Sequence, residues 1–246
     1  MNRFGIKWVW CVLACLGALI GCSPSGEHSG SGGTAGTITR YPIQAVATVG
    51  MVADLVRHVG GEHLSVTQIM GAGVDPHLYK ATRDDVQTIM SGDVVFYCGL
   101  MLEGKMSDTL VKVGRTKAVF AVTELIDEAS LLEPEAMAGH YDPHVWMDVA
   151  AWSQCVDAVA GALQEIDPPH ADDYRRNAQQ YREQLRSLHE YGVEAIGTIP
   201  ADRRVLITSH DAFNYFGRRY NYLDRAPDKL RDDSIDVSEI FDRVGP

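Results

Sequence analysis

IQAVATVGMVADLVRHVGGEHLSVTQIM, residues 43–70, changes its hydrophobic period twice. Residues 43–49 are short, apolar and rich in β-branched side chains, which predicts a strand. Gly50 breaks that run. Met51, Leu55, His58 and Val59 then share one helical face, and Gly60-Gly61 ends the helix. LSVTQIM (64–70) predicts a second strand. Strand, helix and strand in this order form the unit from which parallel sheets are built. The pattern continues outward. GAGVDPHLYKATRDD (71–85) reads as a loop entering a helix, with Thr82 and Asp85 spaced for a capping box. DVVFYCG (93–99) and AVFAV (118–122) predict further strands, with a helix over 105–113 between them. The fold class is α/β, with parallel strands flanked by helices.

The second half is helix-rich. Residues 148–166 predict one helix with Trp152, Val156, Val159 and Leu163 on its apolar face. Asp167-Pro168-Pro169 ends it. A longer helix is predicted over 170–196, striped by Tyr174, Ala178, Tyr181, Leu185 and Leu188. At 1.5 Å per residue, such a helix is close to 40 Å long, about what is needed to run between two lobes. The alternative is a helix that covers one layer. RVLITSH (204–210) predicts a strand and DAFNYFGRRY (211–220) a helix. From Asn221 onward the chain is acid-rich, and no strongly apolar strand is expected there.

The 246 residues carry 22 Lys and Arg against 33 Asp and Glu, a net charge of −11. The length fits one large domain or two small ones. The charge argues against nucleic acid, whose binding needs a basic footprint. Residues 1–7 contain Arg3 and Lys7 and no acid, and residues 8–20 are uncharged and mostly apolar. That stretch is too short to span a bilayer comfortably. Leu19-Ile20-Gly21-Cys22 resembles the bacterial lipobox, which predicts a signal peptide over 1–21 and lipidation of Cys22. An ordinary signal peptide or a single anchor helix are the alternatives. Residues 22–41 then form a tether, Gly/Ser/Thr-rich over 23–37. The predicted location is extracytoplasmic and membrane-anchored. Of the five cysteines, Cys98 and Cys155 lie in apolar stretches and are expected to be two separate buried thiols. The location would also permit a disulfide between them.

Three segments carry the chemistry: GAGVDPHLY (71–79), HYDPHVWMD (140–148) and LITSHDAFNYF (206–216). Each places a histidine at a strand end or in a loop, where ligands of α/β sheets collect. Proline precedes His77 and His144 and restricts the backbone there. Three converging imidazoles can hold a first-row divalent metal. His140, four residues before His144, is the nearest competitor. An enzymatic reading would make this a catalytic zinc, which needs a placed general base. No HExxH occurs, and Asp211 is the one carboxylate adjacent to any of the three histidines. An adhesin or interaction lipoprotein with a structural metal is a further alternative.

Taken together, these segments resemble the metal-specific solute-binding lipoproteins of bacterial zinc and manganese ABC importers. GLMLEGKM (99–106) is similar to a further segment of that family, and the resemblance covers about residues 43–220. It implies that His77, His144 and His210 are metal ligands. It also implies two α/β lobes joined by one long helix: an N-terminal lobe over 42–169, a connecting helix over 170–199 and a C-terminal lobe from 200. The implied partners are the divalent metal and an ABC permease in the cytoplasmic membrane, with the protein itself a monomer. Three histidines favour zinc, with manganese as the alternative. Family members complete the coordination with a later carboxylate, so residues 200–246 are expected to form a partial lobe with an atypical tail. The fourth ligand is unassigned, with Asp211, Asp224 and Asp228 as possible substitutes.

Overall fold

The computed structural model describes residue 38 and residues 40–134, 138–208 and 210–225. The expected leader, Cys22, the tether up to residue 37 and Asp228 lie outside the described residues. Strands β1 (Ile43–Ala47), β2 (Leu64–Gln68), β3 (Val94–Tyr97) and β4 (Ala118–Ala121) form one sheet in the order β2-β1-β3-β4. Every pairing is parallel, with Ile43 opposite Leu64, Ala45 opposite Val94 and Val94 opposite Ala118. Helices α1 (Gly50–Gly60), α2 (Arg83–Ser91) and α3 (Ser107–Val113) connect them. The capping box at α2 forms as the spacing predicts: Asp85 N–H donates to Thr82 Oγ1, and Asp85 Oδ2 accepts from Thr82 N–H.

The core lies between this sheet and the helices. Ile43, Val46, Val94, Val95 and Phe96 of the strands and Val52, Leu55, Val56 and Val59 of α1 are all buried in one cluster, the strand residues alternating between the two faces of the sheet. At about 25 cal/mol per Å² of apolar area, burial of this kind is the main stabilising term.

Two helical predictions need revision. Residues 148–166 form two helices, α4 (Val149–Trp152) and α5 (Cys155–Ile166). Ser153 Oγ donates to the Ala150 carbonyl and draws it out of the helical ladder. The apolar spacing survives the break, since Trp152, Val156, Val159 and Leu163 are all buried. The long helix, α6 (Ala171–Gly197), has 27 residues. Tyr174, Ala178, Tyr181 and Leu185 are buried as the stripe predicts, whereas Leu188 is 51% exposed. The C-terminal part of α6 therefore leaves the packed layer.

Beyond α6, β5 (Val205–Ile207), α7 (Asn214–Tyr220) and β6 (Leu223–Arg225) follow. β5 and β6 pair in parallel, with Leu206 opposite Asp224. β6, Leu-Asp-Arg, is a short strand that the sequence reading does not anticipate, and it agrees with the expectation that no strongly apolar strand follows Asn221. A three-residue strand is too short to give an apolar signal of its own. Among the described residues, no helix is long and apolar enough to cross a membrane.

Candidate metal centre

His77 lies in the loop between β2 and α2. Asp75 Oδ1 accepts from the His77 N–H at 2.9 Å, folding the loop back on itself. A second loop, after β3, supports it from behind. A Cβ on Gly104 would stand 2.7 Å from the His77 carbonyl oxygen, so the two backbones meet where only glycine fits. That second loop begins with Gly99, Leu100 and Met101, all at positive φ. Glu103, 1% exposed, pins it. Its Oε1 accepts from Thr48 Oγ1 and Cys98 N–H, each at 2.6 Å, and its Oε2 from Gly99 N–H at 3.3 Å. Burial pushes the Glu103 carboxyl up, and these hydrogen bonds oppose the shift. Thr48 and Cys98 follow β1 and β3, the strands between which the sheet order reverses. Glu103 thus sits at the C-terminal ends of these strands, where α/β sheets usually bind ligands.

His144 repeats the Asp-Pro-His pattern with one addition. Asp142 Oδ1 accepts from the His144 N–H at 2.9 Å and from its ring Nδ1–H at 2.6 Å. The proton on Nδ1 leaves Nε2 as a lone pair, the form that binds a metal. Asp142 and His144 are both buried. Burial alone would raise the Asp142 carboxyl. The bonds from the His144 ring and backbone and from Asn214 outweigh it and hold the group below the ordinary carboxylate range.

His210 follows β5, with its carbonyl accepting from Ala212 N–H and from Thr208 Oγ1, each at 2.9 Å. The three rings converge. His144 Nε2 stands 3.2 Å from His77 Nε2 and 3.2 Å from His210 Nε2. One ligand atom from each ring lies within 4.8 Å of the others. Donors around a tetrahedral zinc with bonds of about 2.05 Å stand about 3.3 Å apart, so this spacing suits a metal. Burial, and the neighbouring His144 and His210, lower the His77 pKa from its ordinary value against the pull of Asp75 and Asp142. A neutral ring is again what a metal requires.

His140 is exposed and stands outside the group. Among the described residues, no carboxylate joins the three rings within 4.8 Å. Asp211 instead accepts from Asn214 at 2.9 Å. Sequence reasoning overlooked Asp142, Gly104 and Glu103 as supports. An acid two residues before each Asp-Pro-His histidine was the available signal for the first of these. Cys98 and Cys155 are free, fully buried thiols, and burial pushes both pKa values up.

The model of the ZnuA family, zinc-uptake complex component A, periplasmic, matches residues 45–239. The chain belongs to that family. ZnuA-family proteins are solute-binding components of metal importers and not enzymes. The match also extends one expectation: the resemblance, placed at about residues 43–220, continues to residue 239. The manganese-binding lipoprotein MntA of Bacillus subtilis is 40% identical over 94% of this chain and 74% of its own length. The zinc-binding protein TroA of Treponema pallidum is 40% identical over 72% of this chain and 57% of its own. A solved structure of the Treponema pallidum periplasmic zinc-binding protein TroA superposes with a TM-score of 0.72 at 38% identity. It covers 75% of this chain, which spans 66% of that structure.

Proposed function

We propose that this ZnuA-family chain takes up one divalent first-row metal ion as cargo on the Nε2 atoms of His77, His144 and His210. It then hands the ion to an ABC permease in the cytoplasmic membrane. The observation that carries this reading is the 3.2 Å approach of His77 and His210 to His144 Nε2. Asp142 supports it by holding the proton on the far side of the His144 ring. The cargo we favour is zinc, with manganese second. Imidazole nitrogen suits zinc, whereas manganese prefers a larger share of oxygen donors. The relatives' names include both ions, zinc for the Treponema protein and manganese for the Bacillus protein. The fourth ligand is left open.

We further propose the division into lobes at 42–169 and from 200, with the segment 170–199 connecting them. A single long helix as connector suits small closing motions over a wide hinge. The lipid on Cys22 would hold a monomeric capture domain close to the permease. The relatives named as lipoproteins support that placement.

Calorimetric titration of the full chain with zinc, then manganese, tests the proposal. One ion per chain, with zinc tighter, is the expected result. The double variant His77→Ala/His144→Ala should bind no more than trace zinc while keeping its circular dichroism. Retained stoichiometric binding by that variant would overturn the site.

A further inference from the structure

α7 contributes no ring to the metal centre, yet it grips the segment that carries His144. Tyr215 OH donates to the Asp142 carbonyl at 2.9 Å and accepts from Leu132 N–H at 3.0 Å. Arg218 donates to the Ser130 carbonyl at 2.8 Å. Arg219 Nε lies 2.8 Å from both oxygens of Asp148, a carboxylate with no exposed surface that also caps α4. These contacts fasten the helix. Asn214, its first residue, does something different.

An asparagine side-chain amide has two N–H donors. The Asn214 Nδ2 group lies 3.0 Å from Asp142 Oδ2 and 2.9 Å from Asp211 Oδ1. Asp142 holds the His144 ring through its other oxygen, at 2.6 Å from Nδ1. Asp211 directly follows His210. One amide therefore joins the carboxylate behind one ring to the carboxylate beside the other. With Oδ1 on the His144 ring and Oδ2 on Asn214, both ends of the Asp142 carboxylate are fixed, so the plane of the imidazole is fixed too. The amide also stands between two negative groups that would otherwise repel.

We propose that Asn214 is a positioning residue that holds the His144 and His210 nitrogens at their mutual spacing, so that the two rings present one preformed pair to the metal. The inference rests on the cargo reading above. It separates from ordinary fold support because Tyr215, Arg218 and Arg219 already attach α7. Removing the amide should free the two loops relative to each other and leave the helix docked. Residues that orient a metal-ligating histidine typically govern 10- to 100-fold in affinity.

The test compares wild type, Asn214→Ala and Asn214→Ser in the full chain. Zinc affinity is read by chelator competition, zinc release by a stopped-flow chelator chase, and folding by the melting of the metal-free protein. Asn214→Ala should weaken zinc about 10- to 100-fold, mainly through faster release. Its metal-free melting temperature should fall by no more than about 10 °C, the amount that the lost hydrogen bonds account for, with unfolding still cooperative, since the other α7 contacts remain. Asn214→Ser, with a single hydroxyl proton, can serve one carboxylate and should fall between the two. If Asn214→Ala does not fold, Asn214→Ser carries the same readouts. Unchanged affinity and release, or a loss that tracks the melting temperature alone, would overturn the proposal. If wild type takes up no zinc, it is the cargo reading that fails. Hydrogen exchange of the metal-free chains then decides the bridge. Faster exchange of the His144 and Ala212 amides in Asn214→Ala supports it, and unchanged exchange overturns it.

Discussion

At the residue scale, the position of His77 is set by an atom that is missing. Gly104 has no Cβ, and any side chain there would press on the His77 carbonyl at 2.7 Å. Gly104→Ala should therefore cost about 1–3 kcal/mol, the usual range for inserting a methyl group into a packed site. It should also weaken zinc binding at least about tenfold, because a ligand displaced by a fraction of an ångström no longer meets its partners. Urea unfolding and zinc competition measure the two effects. Gly161→Ala is the control: nothing lies within 4 Å of its Cβ, and in mid-helix it should add up to about 1 kcal/mol. Equal behaviour of the two variants would remove Gly104 as a support. At this scale the sequence was partly legible. The three histidines stood out because Asp-Pro-His occurs twice and Ser-His-Asp follows a strand. Gly104 lies in GLMLEGKM and Asn214 in LITSHDAFNYF, yet the role of each was not legible, since Gly104 acts through His77 and Asn214 through Asp142, both far away in the chain.

At the element scale, the strands and helices of the first sheet follow from local period alone. In α1 the predicted face holds only in part: Leu55 and Val59 are buried, whereas Met51 is half-buried and His58 exposed, and Val52 and Val56 complete the buried face instead. The break between α4 and α5 was hidden because Trp152 and Val156 keep helical spacing across it. The anchoring of α6 was hidden too, because its contacts span most of the first sheet unit. Asp167, 1% exposed, accepts from Tyr174 OH and Tyr41 OH, each at 2.5 Å, and from His170 Nδ1 at 2.8 Å. It ties the start of the long helix to the residues just before β1. Asp167→Ala leaves the fully buried Tyr174 hydroxyl without its acceptor. At about 1.5–3 kcal/mol for a hydrogen bond to a charged group, the loss should be about 3 kcal/mol in urea unfolding. Zinc affinity should not change, since this cluster shares no residue with the metal centre. A variant that unfolds like wild type, or that loses zinc without losing stability, would contradict this role for Asp167. At the other end of α6, Gly192 lets the Tyr220 ring approach. A Cβ there would stand 3.0 Å from the hydroxyl, which is how α7 seats against the helix.

For the whole molecule, the three rings make cargo binding depend on pH, and His77 makes stability depend on it as well, with signs that can be worked out. A metal competes with protons for the same nitrogens. Zinc affinity should be level above about pH 7 and fall with increasing steepness below about 6.5, the ordinary histidine value. Burial and the adjacent rings lower the His77 pKa, so in the folded protein it gives up its neutral form later than a free histidine would. The unfolded chain therefore takes up a proton at His77 near pH 6.5 that the folded chain refuses. That difference favours unfolding as pH falls from about 6.5 toward the folded value. Asp142 and Asp167 act in a lower window. Hydrogen bonds hold both carboxyls below their unfolded values, near 3.9, so the stability they contribute is present above about pH 4 and lost as pH falls through the folded values. Saturating zinc should steepen the upper window and leave the lower one in place, because the metal stabilises only the folded state and leaves before the carboxylates protonate. Thermal melting at pH 7.5, 6.5, 5.5 and 4.0, with and without zinc, checks both. A zinc-induced rise in melting temperature that persists undiminished at pH 5 would mean that the imidazoles are not the donors.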